Sequence, residues 1–162
     1  MSKSVVVGKY DKAAKVSQIA EILQQIENKI HLKGLVGSSL SFVANSLFQK
    51  SELPFLMIFE DKEAAAYYLN DLEQLIGDKE VLFYPGSFRI PYQIEEVDNA
   101  NVLLRAEVLN RINSRKKPAI IVTYPESLFE KVVTKKELEK NTLKVAVGDK
   151  ISIDFINEVL FE

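Results

Sequence analysis

The sequence predicts an α/β protein with a RecA-like or P-loop-like parallel sheet flanked by helices. The chain has 162 residues, enough for one domain, and its 47% hydrophobic and 27% charged residues are ordinary for a globular protein. Short apolar runs alternate with helical patterns, as in βαβ units. A glycine-containing loop also joins the first predicted strand to a helix, which is the setting of a phosphate loop.

Five apolar runs are predicted to be strands, and none is longer than five residues. The second run reads Phe-Leu-Met-Ile-Phe, without alternation, which is typical of a strand covered on both faces. The five runs are residues 32–36, 55–59, 81–83, 119–123 and 143–147.

Helices are predicted before the first strand, at residues 12–29, and between the strands, at 38–50, 61–76 and 98–113, with shorter pieces at 127–133 and 135–140. Asp61 is an expected N-cap and Gly77 an expected C-terminal stop. The apolar face of the helix at 98–113 is predicted to contain Leu104, Val108 and Ile112.

The chain is predicted to hold one α/β domain at residues 1–148 and the truncated start of a following subdomain at 149–162. Ser152 has the character of an N-cap, and an apolar helix face begins after it. We expect this helix to continue past Glu162 in a longer parent protein.

The loop at residues 34–41 resembles a phosphate loop without its charged residue. On the pattern G-x-x-x-x-G-K-[ST], Gly34 takes the first place and Ser41 the last, whereas Ser39 replaces the second glycine and Leu40 the lysine. A leucine supplies no charge to phosphates, so no working nucleotide site and no catalytic residue are predicted. The predicted vestigial loop comprises Gly34, Gly37, Ser38, Ser39, Leu40 and Ser41.

Other chemistry has little support in the composition. There is no cysteine and one histidine, which disfavours a zinc site. The strand at 119–123 is followed by Tyr124 and Pro125, so the carboxylate that holds magnesium in P-loop ATPases is missing there as well. No apolar run approaches membrane-spanning length, and the expected location is the cytoplasm.

A loop rich in aromatic residues and proline follows the third strand. Its candidate partner-contact residues are Tyr84, Phe88, Arg89 and Tyr92. Aromatic rings beside a cation can stack on bases or dock a protein partner. The alternative is a proline-stiffened loop that packs its rings on the sheet edge.

The order of these segments resembles the N-terminus of the bacterial transcription-repair coupling factors, the Mfd family. Four segments carry the resemblance, and together they span nearly the whole chain. They are the loop at residues 34–39, the alanine-rich helix after the strand at 55–59, the segment from 81 to 92, and the stretch from 119 to 128 with 143–149.

The resemblance implies a helicase-like module, similar to the excision-repair protein UvrB, that has lost its ATP site. The family is an ATP-dependent DNA translocase that removes stalled RNA polymerase and recruits UvrA, mainly through the subdomain adjoining this region. ATP and Mg²⁺ would then serve a motor far downstream, and this fragment would hold no cofactor. Its expected partners are the rest of the parent chain and, through it, UvrA, RNA polymerase and DNA.

Two other functions remain open from the residues alone. One is a small nucleotide-dependent enzyme with an atypical phosphate loop, whose turnover would depend on Gly37 and Ser41. The other is a generic Rossmann-like binding module.

Overall fold

The computed structural model describes residues 3–88, 98–114, 117–132, 134, 136–137, 143, 145–148 and 150–161. The chain divides into two compact units, Met1–Lys131 and Val132–Glu162. The predicted boundary between residues 148 and 149 falls within the second unit, and the start of a subdomain there stays a prediction.

The first unit contains a parallel sheet of three strands: β1 (Phe55–Ile58), β2 (Val81–Tyr84) and β3 (Ile120–Thr123). The strand order is β1-β3-β2, so β3 is central. Phe55 is level with Ile120 on one side of the sheet, and Val81 is level with the same residue on the other. The α/β class and the parallel sheet are therefore confirmed.

The described part of the first unit contains six helices. They are α1 (Lys3–Asp11), α2 (Ala14–Leu23), α3 (Ser39–Ser51), α4 (Lys62–Leu75), α5 (Asn99–Ser114) and α6 (Pro125–Phe129). One sheet face packs Ile120 and Val122 against Ala44 and Phe48 of α3 and against α4. Helices α1 and α2 pack on α3, where the rings of Tyr10 and Phe42 stack with centroids 5.2 Å apart.

The opposite sheet face is covered by α5. Leu82 and Tyr84 of β2 pack there with Val108, and Ile121 of β3 and Leu109 join them. This cover reaches β2 and β3, whereas Leu56 and Ile58 of β1 are 57% and 53% exposed. The two faces of β1 therefore differ, since Phe55 and Met57 on the other face are half-buried.

Several predicted elements are confirmed. The strands at 55–59, 81–83 and 119–123 are β1, β2 and β3 within one or two residues. Asp61 caps α4, since its Oδ1 accepts a hydrogen bond from the Ala64 amide at 2.7 Å. Gly77 follows this helix with φ +123°, a conformation that glycine adopts without strain.

Two predicted strands are wrong where the chain is described. Residues 32–36 form no strand, and neither do 143, 145 and 146. Both runs are short, and a short apolar run forms a strand only where a neighbouring strand offers hydrogen bonds.

Two helix predictions also need correction. The pattern at 12–29 yields a helix only over Ala14–Leu23, and α1 precedes it. In α5, the predicted apolar face is rotated: Arg105 and Val108 are buried, whereas Leu104 and Ile112 are exposed. The predicted piece at 135–140 lies mostly outside the described residues.

The second unit contains one described helix of known bounds, α7 (Ile153–Phe161). Ser152 caps it as predicted, because its Oγ accepts a hydrogen bond from the Phe155 amide at 3.1 Å. No helix among the described residues is both long and apolar enough to cross a membrane.

Candidate functional site

The loop that resembles a phosphate loop leads directly into α3. Gly34 and Gly37 have φ angles of +82° and +53°, in the left-handed region that favours glycine. A Cβ atom at either position would touch nothing within 4 Å. Backbone conformation, and not crowding, therefore explains both glycines.

The serine side chains of this loop are bonded within the protein. Ser39 Oγ accepts a hydrogen bond from the Val36 amide at 2.7 Å, which closes the turn. The hydroxyls of Ser38 and Tyr67 are 3.0 Å apart, and Ser41 Oγ donates to Asp71 Oδ2 at 3.1 Å. Since Tyr67 and Asp71 belong to α4, these contacts fasten the loop to that helix.

Ser41 and Leu40 differ most from what phosphate binding needs. In a working phosphate loop the last hydroxyl binds Mg²⁺ and the preceding lysine reaches the phosphates. Here Ser41 is fully buried against Asp71, and Leu40 lines an apolar groove beside β1. The observed loop acts as a packing element, and its origin in a nucleotide site stays a prediction.

A second cluster lies at the carboxyl ends of β2 and β3, the edge where parallel α/β sheets place their ligands. We name it the Arg105 network. Arg105 projects from α5, is 6% exposed, and donates from Nη1 to the carbonyls of Pro85 at 2.7 Å and Ser127 at 3.1 Å. Its guanidinium lies over the Tyr84 ring, 4.2 Å from the centroid. These contacts join the segments that follow the two strands.

Glu130 completes the network from the other side. Its Oε2 is 3.4 Å from Arg105 Nη1. Its carboxylate also accepts from the Ser87 amide at 2.9 Å and from the Ser87 hydroxyl. A Cβ atom on Gly86 would lie 2.9 Å from Glu130 Oε1. Glycine at 86 therefore allows the carboxylate to lie directly against the backbone.

Tyr84 and Tyr124 of this network are buried, and the pKa of each phenol is raised above its ordinary value. Burial raises the pKa of Tyr84, an effect that Arg105 opposes and Glu130 reinforces. Burial also raises the pKa of Tyr124, whose hydroxyl accepts the Gly86 amide hydrogen bond at 2.9 Å. Both phenols are therefore neutral at physiological pH.

The predicted partner-contact residues are separated by this arrangement. Tyr84 is buried under Arg105, and Phe88 is half-buried. Arg89 and Tyr92 lie outside the described residues. In the described structure the Tyr84 ring packs against the guanidinium of Arg105. Partner contact by this loop stays a prediction.

The sequence reasoning missed the Arg105 network entirely. A usable signal was present, because Asn101, Arg105 and Val108 have the i, i+4, i+7 spacing of one helix face. Asn101 indeed donates to the Gly86 carbonyl at 2.9 Å from the same side of α5. A polar face directed at the sheet is hard to infer, because buried arginines are rare.

The described part of the chain was also compared with the ligand groups that hold metal ions. No group of three or more histidine, aspartate or glutamate side chains there could hold a metal ion.

The fold and these two clusters define an α/β domain in which the loop serines and Arg105 form hydrogen bonds to other groups of the same protein. Comparison with known proteins gives a more particular result. The chain is 27% identical over 132 residues to the transcription-repair-coupling factor of Bacillus subtilis (strain 168), and 24% identical over 122 residues to that of Rickettsia bellii (strain RML369-C). The predicted resemblance to this family is confirmed.

These alignments cover 81% and 75% of this chain but 11% of each relative. No protein-family model matches the chain, and no solved structure matches it significantly.

Proposed function

We propose that this chain is a non-catalytic, UvrB-like scaffold module from the N-terminal part of a transcription-repair coupling factor. The parent would be an ATP-dependent DNA translocase of the cytoplasm that acts on stalled RNA polymerase and recruits UvrA. ATP and Mg²⁺ would belong to the parent's downstream motor. The similarity to the two coupling factors supports the parent's identity.

The observation that carries the non-catalytic role is the buried bond between Ser41 and Asp71. To bind Mg²⁺, Ser41 would have to leave a site with no exposed surface and abandon a charged acceptor. A hydrogen bond to a charged group contributes about 1.5–3 kcal/mol. Leu40 offers no compensating charge, so the loop favours packing over nucleotide binding.

The same observation disfavours a small nucleotide-dependent enzyme. Such an enzyme needs Ser41 at its phosphate site, yet this hydroxyl fixes α3 to α4. A repaired loop provides a sharp test. The double variant Ser39→Gly, Leu40→Lys restores the sequence pattern, and we expect it to remain unable to bind ATP because Ser41 stays buried.

The gene supplies an independent test. We expect the reading frame to continue past Glu162 and to encode a complete G-x-x-x-x-G-K-[ST] motor downstream. A stop codon directly after Glu162 would refute the scaffold role.

The parent protein tests the role itself. We expect a parent lacking residues 1–131 to keep ATP hydrolysis and to lose UvrA-dependent repair or its regulation. A truncated parent that matches the intact protein in both assays would contradict a scaffold.

A further inference from the structure

The chain passes from its first to its second compact unit directly after α6. This helix ends at Phe129 and the first unit ends at Lys131, so Glu130 lies at the start of the connection. Its backbone is extended, with φ −69° and ψ 136°. In the described structure no backbone hydrogen bond holds Lys131 or Val132. The Glu130 side chain therefore supplies the polar contacts that fasten the connection to the first unit.

The Glu130 carboxylate is held by donors that are distant in sequence. Both of its oxygens are 2.9 Å from the Ser87 amide nitrogen, and Oε2 also accepts a hydrogen bond from the Ser87 hydroxyl. Arg105 Nη1 lies 3.4 Å from Oε2, and the Glu130 side chain is 18% exposed. Because Ser87 belongs to the loop after β2, these bonds join the connection to a loop that lies 43 positions earlier in the chain.

The part of this loop that holds Glu130 is itself bonded on several sides. The Gly86 amide donates to the Tyr124 hydroxyl, and the Gly86 carbonyl accepts from Asn101 Nδ2, both at 2.9 Å. The Ser87 carbonyl accepts from the Asp98 amide, also at 2.9 Å. A displacement of this part of the loop therefore changes the position of the two donors that Ser87 offers to Glu130.

Arg105 has a further donor that no acceptor satisfies. Its Nη1 faces the carbonyls of Pro85 and Ser127 as well as Glu130, whereas its buried Nη2 has no hydrogen-bond partner. An unsatisfied buried donor costs free energy. A Glu130 carboxylate that left Ser87 and moved toward Nη2 would satisfy this donor. The network thus has suitable donors for two positions of the carboxylate.

We propose that Glu130 couples the loop after β2 to the connection between the two units, and we name this contact the Glu130 latch. While the carboxylate is bonded to Ser87, the connection at Lys131 and Val132 is held. When the loop is displaced, the carboxylate moves to Nη2 of Arg105 and the connection becomes mobile. A contact made at residues 85–88 thereby alters the mobility of the chain that leads into the second unit.

The Glu130 latch goes beyond the scaffold role and requires no parent chain. Coupling of this kind is reciprocal, so whatever frees the connection also loosens the loop. ATP binding by this chain would refute the non-catalytic role and leave the coupling standing.

Native-state proteolysis of this chain tests the proposal. Trypsin cleaves after lysine, and cleavage after Lys131 reports how often the connection opens. The rate for a synthetic peptide of residues 125–137, divided by the rate for the folded chain, gives the protection of this bond. We expect Ser87→Ala to lower the protection about tenfold, because it removes a hydrogen bond to a charged group. This variant leaves the sequence around the cleaved bond unchanged.

Two references separate local opening from unfolding. Ser114→Ala removes a hydroxyl that donates to the Arg111 carbonyl at the exposed end of α5, and it should leave the protection at Lys131 unchanged. The Ile120 amide of the central strand donates to the Glu80 carbonyl, and its hydrogen exchange reports global opening. Equal acceleration of Ile120 exchange and of cleavage would overturn the proposal, because unfolding of the whole unit would then explain both.

A double-mutant cycle isolates the contact between the two side chains. In the Glu130→Ala background, referred to a peptide with the same change, Ser87→Ala should cause no further loss of protection because its acceptor is gone. An equal loss in both backgrounds, or no loss in either, would overturn the proposal.

Glu130→Gln provides the second measurement if Ser87→Ala does not fold. Loss of the charge should speed exchange of the Ser87 amide about tenfold and lower the protection at Lys131 by a similar factor, while Ile120 exchange stays constant. Faster Ser87 exchange with unchanged protection at Lys131 would show that the loop and the connection are uncoupled.

Discussion

Replacing Arg105 by alanine tests whether the Arg105 network holds the carboxyl ends of β2 and β3 together. The variant loses two hydrogen bonds to buried carbonyls and the contact with Glu130. It also leaves the Glu130 carboxylate partly buried without a cation. Breaking a buried ion pair from one side costs about 3–5 kcal/mol.

That cost is large beside the total stability of a domain, about 5–15 kcal/mol. We therefore expect the urea midpoint, followed by far-UV circular dichroism, to fall clearly, and the melting temperature to drop by about 10 °C. Arg111→Ala is the matched control, because Arg111 lies on the same helix, is half-exposed, and makes one hydrogen bond to the Lys79 carbonyl. A loss below about 1 kcal/mol for Arg105→Ala, or equal losses for the two variants, would refute the reasoning.

Three further predictions concern single groups. Gly86→Ala should destabilise the chain by about 1–3 kcal/mol in urea unfolding, because the new Cβ displaces the Glu130 carboxylate from its hydrogen bonds to Ser87. An unchanged urea midpoint would contradict this. Ser41→Ala should cost about 1.5–3 kcal/mol by removing the hydrogen bond to Asp71, whereas a neutral effect would mean that this bond does not hold the loop. Because the pKa of Tyr84 is raised in the folded state, the stability that this phenol contributes is complete below pH 10.0 and is lost as the pH rises through the folded pKa. Ultraviolet titration should show Tyr84 ionising at a higher pH than a free tyrosine. Ionisation at the ordinary pH of a free tyrosine would refute its burial.

The elements predicted correctly are those with strong local signals. The run at 55–59 is apolar throughout, lies between Pro54 and Glu60, and forms β1. Asp61 caps α4 because an aspartate before a helix can accept a hydrogen bond from an amide of its first turn.

The elements missed depend on contacts distant in sequence. The run at 32–36 has the composition of a strand, but hydrogen-bonding partners decide whether it forms one, and β1 lies across the groove without pairing to it. The role of Arg105 depends on Glu130 and on two carbonyls about 20 residues away on either side. Periodicity alone favoured Leu104 and Ile112 for the buried face, and no local pattern reveals the partners that make an arginine stable there.

The loop at 34–41 lies between these cases. Its glycines and the start of α3 follow from the sequence, and the missing lysine is visible without a structure. The hydrogen bond between Ser41 and Asp71 cannot be inferred from the sequence, because the two residues are 30 positions apart and lie on different helices. That bond gives the loop a structural purpose, which the sequence motif alone does not suggest.

An equilibrium titration of this chain with a fluorescent ATP analogue in the presence of Mg²⁺ tests the central claim most directly. The buried Ser41 and the uncharged Leu40 predict no saturable binding at millimolar nucleotide. Saturable binding in the micromolar range, abolished by Ser41→Ala, would contradict a non-catalytic scaffold.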